Sequence, residues 1–300
     1  LETRVYRKNK SNAWYISVDG IEKKAVEWAK SIGISEKTMN DRILAGLKNE
    51  ALLRPKGEKI NTRFNNHYFD EIDSEEKAYW IGFIWADGST CVRIRNNKIT
   101  EKNLKLSLKL EDYRHLEKFN QAIAGNYAIN FFKSNTSFND KCVESRIVIV
   151  DSYLIDVLRN QYGLVPHREN ATNLLRCVPQ KFFKDFMRGL LDADGSFTIY
   201  ECFDEKYSKS VTKLNVVFGA CPQILKSIEK YLYENNIITY NKHKIKQRHP
   251  DRDGCYRSLA FCGIQQAMRI LNFLYEDATV YLDRKYNKYI LIKQQLQGEI

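Results

Sequence analysis

The sequence predicts an α+β fold: two pseudo-symmetric units, each running αββαββα around an antiparallel sheet, preceded by a small helical domain. Three observations predict it. An apolar helix that stops on an acid and a glycine occurs twice, as Tyr79-Trp80-Ile81-Gly82-Phe83-Ile84-Trp85-Ala86-Asp87-Gly88-Ser89 and as Phe186-Met187-Arg188-Gly189-Leu190-Leu191-Asp192-Ala193-Asp194-Gly195-Ser196-Phe197. Each copy is followed by the same succession of strand-like and helix-like patterns, the mark of an internal repeat. Residues 1–57 share neither feature. The expected organisation is a module at 1–57, a linker at 58–74, one unit at 75–170 and a second at 171–300.

In the module, Ile21 to Ile32 carries a helical apolar pattern through Ala25, Val26, Trp28, Ala29 and Ile32. Gly33-Ile34-Ser35 is a tight turn, with Ser35 placed to cap a second helix from Glu36 to about Ala45. Helix, short glycine-containing turn, helix is helix-turn-helix spacing. The second helix offers Lys37, Thr38 and Arg42, types that contact bases or phosphates, although an ordinary polar face of a helical bundle has the same composition. Leu53 to Asp70 is a polar connector. Asp73 with Glu76 reads as a capping box at the start of the first repeated helix, and Gly88 as its left-handed stop.

Strands follow. Val92 and Ile94 alternate with Arg93 and Arg95, and Leu104, Leu106, Leu108 and Leu110 alternate with Lys105, Ser107 and Lys109. A helix over Asp112–Ala124, strands at Tyr127–Lys133 and Val143–Val150, and a helix over Ser152–Tyr162 complete the first unit. The second repeats the order: strands at Ser196–Phe203 and Val211–Phe218, then a helix from Pro222, which suits a first turn, to Glu234. Ile237–Arg248 and Tyr256–Cys262 read as another strand pair, before helices at Ile264–Tyr275 and about Thr279–Leu296. Lys242, Lys244, Lys246 and Arg248 fall at every second position, a basic row if the segment is a strand and a solvated loop if it is not.

Gly82 and Ala86 in the first copy, and Gly189 and Ala193 in the second, stand four apart on one helical face, with Ala78 one turn earlier. Such a stripe lets two backbones approach closely. Packed in parallel, the helices would bring Asp87 and Asp194 together at their negative ends, where the carboxylates repel and a divalent cation would relieve the cost.

With these residues the two stretches resemble the paired signature helices of the LAGLIDADG homing endonucleases, in the single-chain, two-motif form. The second copy matches closely; the first has Trp85 where the signature has its earlier Asp. The likeness covers about residues 75–300. The module's run from Glu27-Trp28-Ala29 through Gly33-Ile34-Ser35 to Arg42 and Gly46 also resembles small helix-turn-helix modules fused to phage and intron endonucleases.

The resemblance implies a site-specific endonuclease that makes a double-strand break at a long asymmetric DNA target and so promotes the mobility of its own intron or gene. It implies that Asp87 and Asp194 bind metal, one serving each strand, with the Ala86 and Ala193 carbonyls as further candidate ligands. Magnesium suits such oxygen donors, and manganese or calcium can take the same place. Tyr281-Leu282-Asp283-Arg284-Lys285-Tyr286 is similar to the family's terminal block, with Lys285 at its active-site lysine. Gly163-Leu164-Val165-Pro166-His167-Arg168 aligns with the matching block, placing Arg168 where a lysine is usual. Asp87, Asp194, Lys285 and Arg168 are therefore the expected catalytic set. The sheets would face DNA through Arg93, Arg95, Lys105, Ser107 and Lys109 in the first unit. Thr198, Tyr200, Lys213, Asn215 and the row Lys242, Lys244, Lys246 and Arg248 would do so in the second, with Lys37, Thr38 and Arg42 from the module. The expected partner is double-stranded DNA, bound by a monomer with no obligate protein partner. An RNA-binding intron maturase on the same scaffold and a catalytically inactive DNA-binding regulator are the alternatives, and retention of both acids favours the nuclease.

Composition agrees. A formal net charge of +11 over 300 residues points to a polyanionic partner. No apolar run is long enough to span a bilayer, and no signal peptide is visible, so no membrane association is expected. The seven cysteines, odd in number and never in a CxxC pair, read as reduced. The expected compartment is the cytoplasm of a bacterial or phage-infected cell, or an organelle, and not the secreted space.

Overall fold

The structure, a computed structural model, describes residues 2–8, 13–44, 46–55, 64–96, 98–133, 143–166, 168, 170–204, 208–240, 242–247 and 256–298. Arg248, His167 and the stretch 58–63 of the expected linker lie outside the described residues. Contacts divide the chain into two compact units, Leu1–Phe64 with Ser107–Val148, and Asn65–Leu106 with Ile149–Ile300.

The first unit opens with an antiparallel sheet of β1 (Thr3–Arg7), β2 (Trp14–Val18) and β3 (Ile21–Lys24), which corrects the expectation of an all-helical module. The reason is the turn at Asp19-Gly20. Both residues take positive φ, 46° and 86°, the geometry of a two-residue hairpin, and Ile21 is thereby paired with Val18. The helix begins only at Ala25, where the Lys24 amide donates to the Glu27 carboxylate at 3.1 Å. Helices α1 (Ala25–Ser31), α2 (Glu36–Leu44) and α3 (Asn49–Leu53) follow, with Ser35 Oγ accepting from the Thr38 amide at the start of α2. Ile16, Val18, Ala25, Ala29, Met39, Ile43 and Leu52 form their core, against which Leu110, Phe131 and Val143 also pack.

The repeat appears as two sheets of identical strand order. The first half runs α4 (Glu75–Asp87), β4 (Gly88–Arg95), β5 (Lys98–Lys109), α5 (Tyr113–Ala122), β6 (Ile129–Lys133), β7 (Val143–Val150) and α6 (Ser152–Asp156), which continues as a π-turn to Gln161. The second runs α7 (Thr172–Cys177), α8 (Phe183–Ala193), β8 (Ser196–Asp204), β9 (Lys209–Ala220), α9 (Pro222–Glu234), β10 (Ile245–Lys246), β11 (Arg257–Cys262), α10 (Ile264–Tyr275) and α11 (Asp283–Gly298). Sheet orders are β4-β5-β7-β6 and β8-β9-β11-β10, so first, second, fourth and third strands neighbour one another in both. The alternation in β5 buries Leu104, Leu106 and Leu108.

Local details differ from the sequence reading for physical reasons. Ser74, not Asp73, caps α4, its Oγ accepting from the Lys77 amide, while Asp73 pairs with the Lys77 ammonium at 2.9 Å. Gly88 is extended, at φ −76° and ψ 149°, because α4 passes straight into β4. It is a glycine for space: a Cβ there would strike the Ile84 carbonyl. The strand expected over Ile237–Arg248 shrinks to Ile245–Lys246. Lys242 and Lys244 therefore lie on non-strand chain, and no single basic row is formed among the described residues.

Candidate active site

Helices α4 and α8 pack closely against each other in the second unit. The mutual fit is made by two glycines. A Cβ on Gly82 would run into the Phe186 carbonyl, and one on Gly189 into the Tyr79 carbonyl and the Phe83 amide. Backbone therefore lies on backbone at both crossings, as the small-residue stripe predicts.

Each helix ends in an acid, and each end is held by one cation from a distant segment. Arg168 donates through Nη1 to the Ala86 carbonyl at 3.2 Å and through Nη2 to the Gly88 carbonyl. Its guanidinium also lies over the Trp85 ring at 5.7 Å. Lys285 donates through Nζ to the Leu191 carbonyl and, at 2.8 Å, to the Gly195 carbonyl. Gly88 and Gly195 are matching positions of the two motifs, so the two cations sit at equivalent negative helix ends.

The four expected catalytic residues share one electrostatic environment. Burial lowers the pKa of Arg168, and the charges of Asp194 and Asp87 oppose that shift. Lys285, 7% exposed, is brought down to about 8 by burial, helped by Arg284, while Asp192, Asp87 and Asp194 pull the other way. Burial raises the Asp194 carboxyl, and Lys285 and Arg168 restrain the rise. The acids and the two cations are thus brought together, although they lie far apart in the chain.

The earlier acid of the second motif does something different. Asp192 is buried and accepts from the Tyr79 hydroxyl at 2.8 Å, the Tyr275 hydroxyl at 2.5 Å and the Leu282 amide at 2.8 Å. Leu282 in turn accepts from the Lys285 amide, so Asp192 anchors the turn that launches Lys285. Beside it Arg188, fully buried, pairs with Asp185 at 2.7 Å and donates to the Leu274 and Val280 carbonyls. The first motif has Trp85 in place of that acid, buried beneath Arg168. None of these networks was legible in the sequence, where Asp192 and Arg188 are only polar residues in an apolar helix.

A pocket of about 250 Å³ opens at the helix ends, lined by Asp194 and Arg168 with Trp85, Ala86, Gly219 and Tyr256 among its walls. Among the described residues no group of three or more His, Cys, Asp or Glu side chains is arranged to hold a metal ion. The oxygen donors present are the two carboxylates and helix-end carbonyls, of which Ala86 already accepts from Arg168. That set suits a hard cation that completes its shell with water and phosphate, and not an all-protein cage.

No family sequence model matches the chain, and no curated protein matches it by sequence. Solved structures match it by fold. A lysine-to-alanine mutant of I-SmaMI gives a TM-score of 0.51 at 14% identity, covering 74% of this chain and 92% of that one. I-SmaMI bound to an uncleaved DNA target in the presence of calcium ions gives 0.51 at 15% identity, with 74% and 92% covered. I-SmaMI on an uncleavable DNA with a TTGT central four gives 0.50 at 15% identity, with 74% and 90% covered. I-SmaMI is a LAGLIDADG homing endonuclease. The chain has the LAGLIDADG fold.

On that fold the expected contact residues fall into distinct groups. Thr198 is paired across strands with Asn215, and Tyr200 with Lys213, so all four occupy one face of β8 and β9 opposite the buried Leu214 and Val216. Cys262, paired with Asn215 and bonded to it at 3.3 Å, joins this face. On β4 and β5, Arg93 is paired with Glu101 at 3.0 Å, while Arg95 stands directly opposite Lys98. Lys105 is half-buried, and Lys109 is exposed at the strand's end. Ser107 accepts from Arg146 Nε at 2.7 Å, and Arg146 alternates with the buried Ile147 on β7. In the module Lys37 and Thr38 are exposed, Thr38 sharing a 2.8 Å hydrogen bond with Ser35. Arg42 is half-buried and turned to the Leu52 and Arg54 carbonyls.

Proposed function

We propose that the chain is a site-specific DNA endonuclease that hydrolyses one phosphodiester in each strand of a long asymmetric target. The observation that carries the reading is the cluster of Asp87, Asp194, Arg168 and Lys285 at the ends of two glycine-packed helices. Two carboxylates at negative helix ends are costly without cations, and two fixed cations only partly offset them. The fold likeness to I-SmaMI, and that enzyme's binding to DNA in the presence of calcium, support the same reading.

Asp87 and Asp194 would hold a divalent ion, magnesium by the chemistry of the donors, with manganese or calcium able to take its place. Bound there, the ion supplies charge neutralisation at the scissile phosphate and an activated water. The protein's own residues do the rest. Arg168 fixes positive charge beside one helix end and keeps its proton. Lys285, with a pKa near 8, holds a proton that can be given up in the working pH range. On the sheets, Tyr200, Lys213, Asn215 and Thr198 form a polar face suited to base edges and phosphates. Arg95 opposite Lys98 is a like-charge pair that a polyanion would relieve. Cleavage at an unoccupied insertion site is the step that would promote mobility of its own intron or gene.

The test is metal-dependent linearisation of plasmids carrying a randomised duplex insert, followed by sequencing of the cut ends. Recovery of one defined target, cut in both strands only when magnesium or manganese is present, supports the reading. Tight binding to DNA without cutting in either metal would replace it with a regulator, and preference for structured RNA with a maturase.

A further inference from the structure

We infer that the Tyr256 hydroxyl is a substrate-contacting group of the Asp194 pocket, donating to the scissile phosphodiester of one DNA strand and not the other. The inference rests on the endonuclease reading above and adds a residue to it. Tyr256 lies just before β11 and lines the same pocket as Asp194, Arg168 and Ala86. Its place is prepared by Gly219 of β9. A Cβ built on Gly219 would coincide with the Tyr256 hydroxyl and the ring carbon that bears it. Gly219 has no positive φ that would call for glycine, so it is the space taken by the phenol that demands the missing side chain. Around it, Ser258 is paired with Gly219 across β11 and β9, and Arg257 donates to the Tyr256 carbonyl at 2.8 Å. Both fix the backbone from which the ring projects. No sequence pattern marks this residue, because the signal is one glycine inside an otherwise apolar strand end.

The chemistry follows from the neighbours. A phenol is a hydrogen-bond donor, and a pocket that already holds a carboxylate and a guanidinium suits a phosphate whose charge is shared among several donors. Removing one such donor to a charged oxygen slows the bond-breaking step by about tenfold or more. The hydroxyl shares its pocket with Asp194, so the loss is expected on the strand that Asp194 serves.

The experiment uses the full chain and a supercoiled plasmid carrying a site recovered from the randomised library, with each strand's cut followed separately under single-turnover conditions. Tyr256→Phe is expected to slow one nick by about tenfold, leave the other within about twofold, and keep the wild-type fold by circular dichroism. Nicked circles would then accumulate. Gly219→Ala, which displaces the ring, is expected to slow the same strand. Wild-type rates on both strands in Tyr256→Phe overturn the inference and leave the nuclease reading intact. Equal slowing of both strands overturns it too, since that is what a packing role would produce. A wild-type chain that cuts neither strand overturns both.

Discussion

Gly189 of α8 lies against the main chain of Tyr79 and Phe83, and Gly82 of α4 lies against Phe186 in return. Each glycine thus admits the other helix at a point where any side chain would meet backbone and not a movable group. Gly189→Ala is expected to push the helices apart at a cost of about 1–3 kcal/mol or more, since backbone cannot swing aside as a rotamer can. Denaturant unfolding of the variant checks this, and an unchanged midpoint would show that the crossing tolerates a methyl group.

Asp194 carries the opposite kind of strain. Its pKa is raised from 3.8 chiefly by burial, so the ionised form is disfavoured in the folded chain. The sign follows. Below pH 3.8 the group is protonated in both states and costs nothing; as pH rises through the folded value, stability is lost. Asp194→Asn is therefore expected to raise Tm at pH 7 and to lose that advantage near pH 3.5, while abolishing double-strand cleavage with DNA binding retained. Asp87→Asn is expected to abolish the same cleavage. Calorimetry at the two pH values and a plasmid assay check it; either variant cutting both strands at the wild-type rate would remove that acid from the site.

Asp192 acts through Lys285. It accepts three hydrogen bonds, one from the Leu282 amide that begins the turn leading to Lys285, and its charge is the largest influence holding the lysine pKa up against burial. Asp192→Asn removes that charge, so the Lys285 pKa is expected to fall below about 8. It also leaves buried hydroxyls poorly matched, at roughly 1–3 kcal/mol. The pH profile of Lys285 labelling by an amine reagent, read by mass spectrometry, checks the shift. A midpoint at or above 8 would mean that Asp192 serves packing alone.

The doubled apolar helix, its terminal acids and the succession of strands and helices after each copy were legible in the sequence because they rest on periodicity, which one chain displays directly. Tertiary partners were not. Lys285 and Arg168 were found through a resemblance, but their seats on the Gly195 and Gly88 carbonyls come from packing. Strand β3 was missed because Ile21, Ala25 and Trp28 fit a helical period, and the Asp19-Gly20 turn that overrules it is a two-residue signal; β1 and β2 precede any element expected from the sequence. Arg42 stays ambiguous for a related reason. A residue type that binds phosphate also caps carbonyls, and only the fold decides which it meets.

That ambiguity can be resolved in the module. Arg42 donates to the Leu52 and Arg54 carbonyls and is half-buried, whereas Lys37 is exposed on the same helix. Arg42→Ala is expected to cost about 1.5–3 kcal/mol, the range for hydrogen bonds to a charged group, and to lower Tm without changing the salt dependence of DNA binding. Lys37→Ala is expected to leave Tm alone and to weaken binding, with the slope of log K against log salt reduced by about one. Removing residues 1–57 altogether tests neither, because Leu110, Phe131 and Val143 pack on the module's core and would be stripped of their cover. Anisotropy titrations over a salt series separate the two point variants. An unchanged affinity and slope in Lys37→Ala would leave α2 as a structural helix whose polar face meets only water.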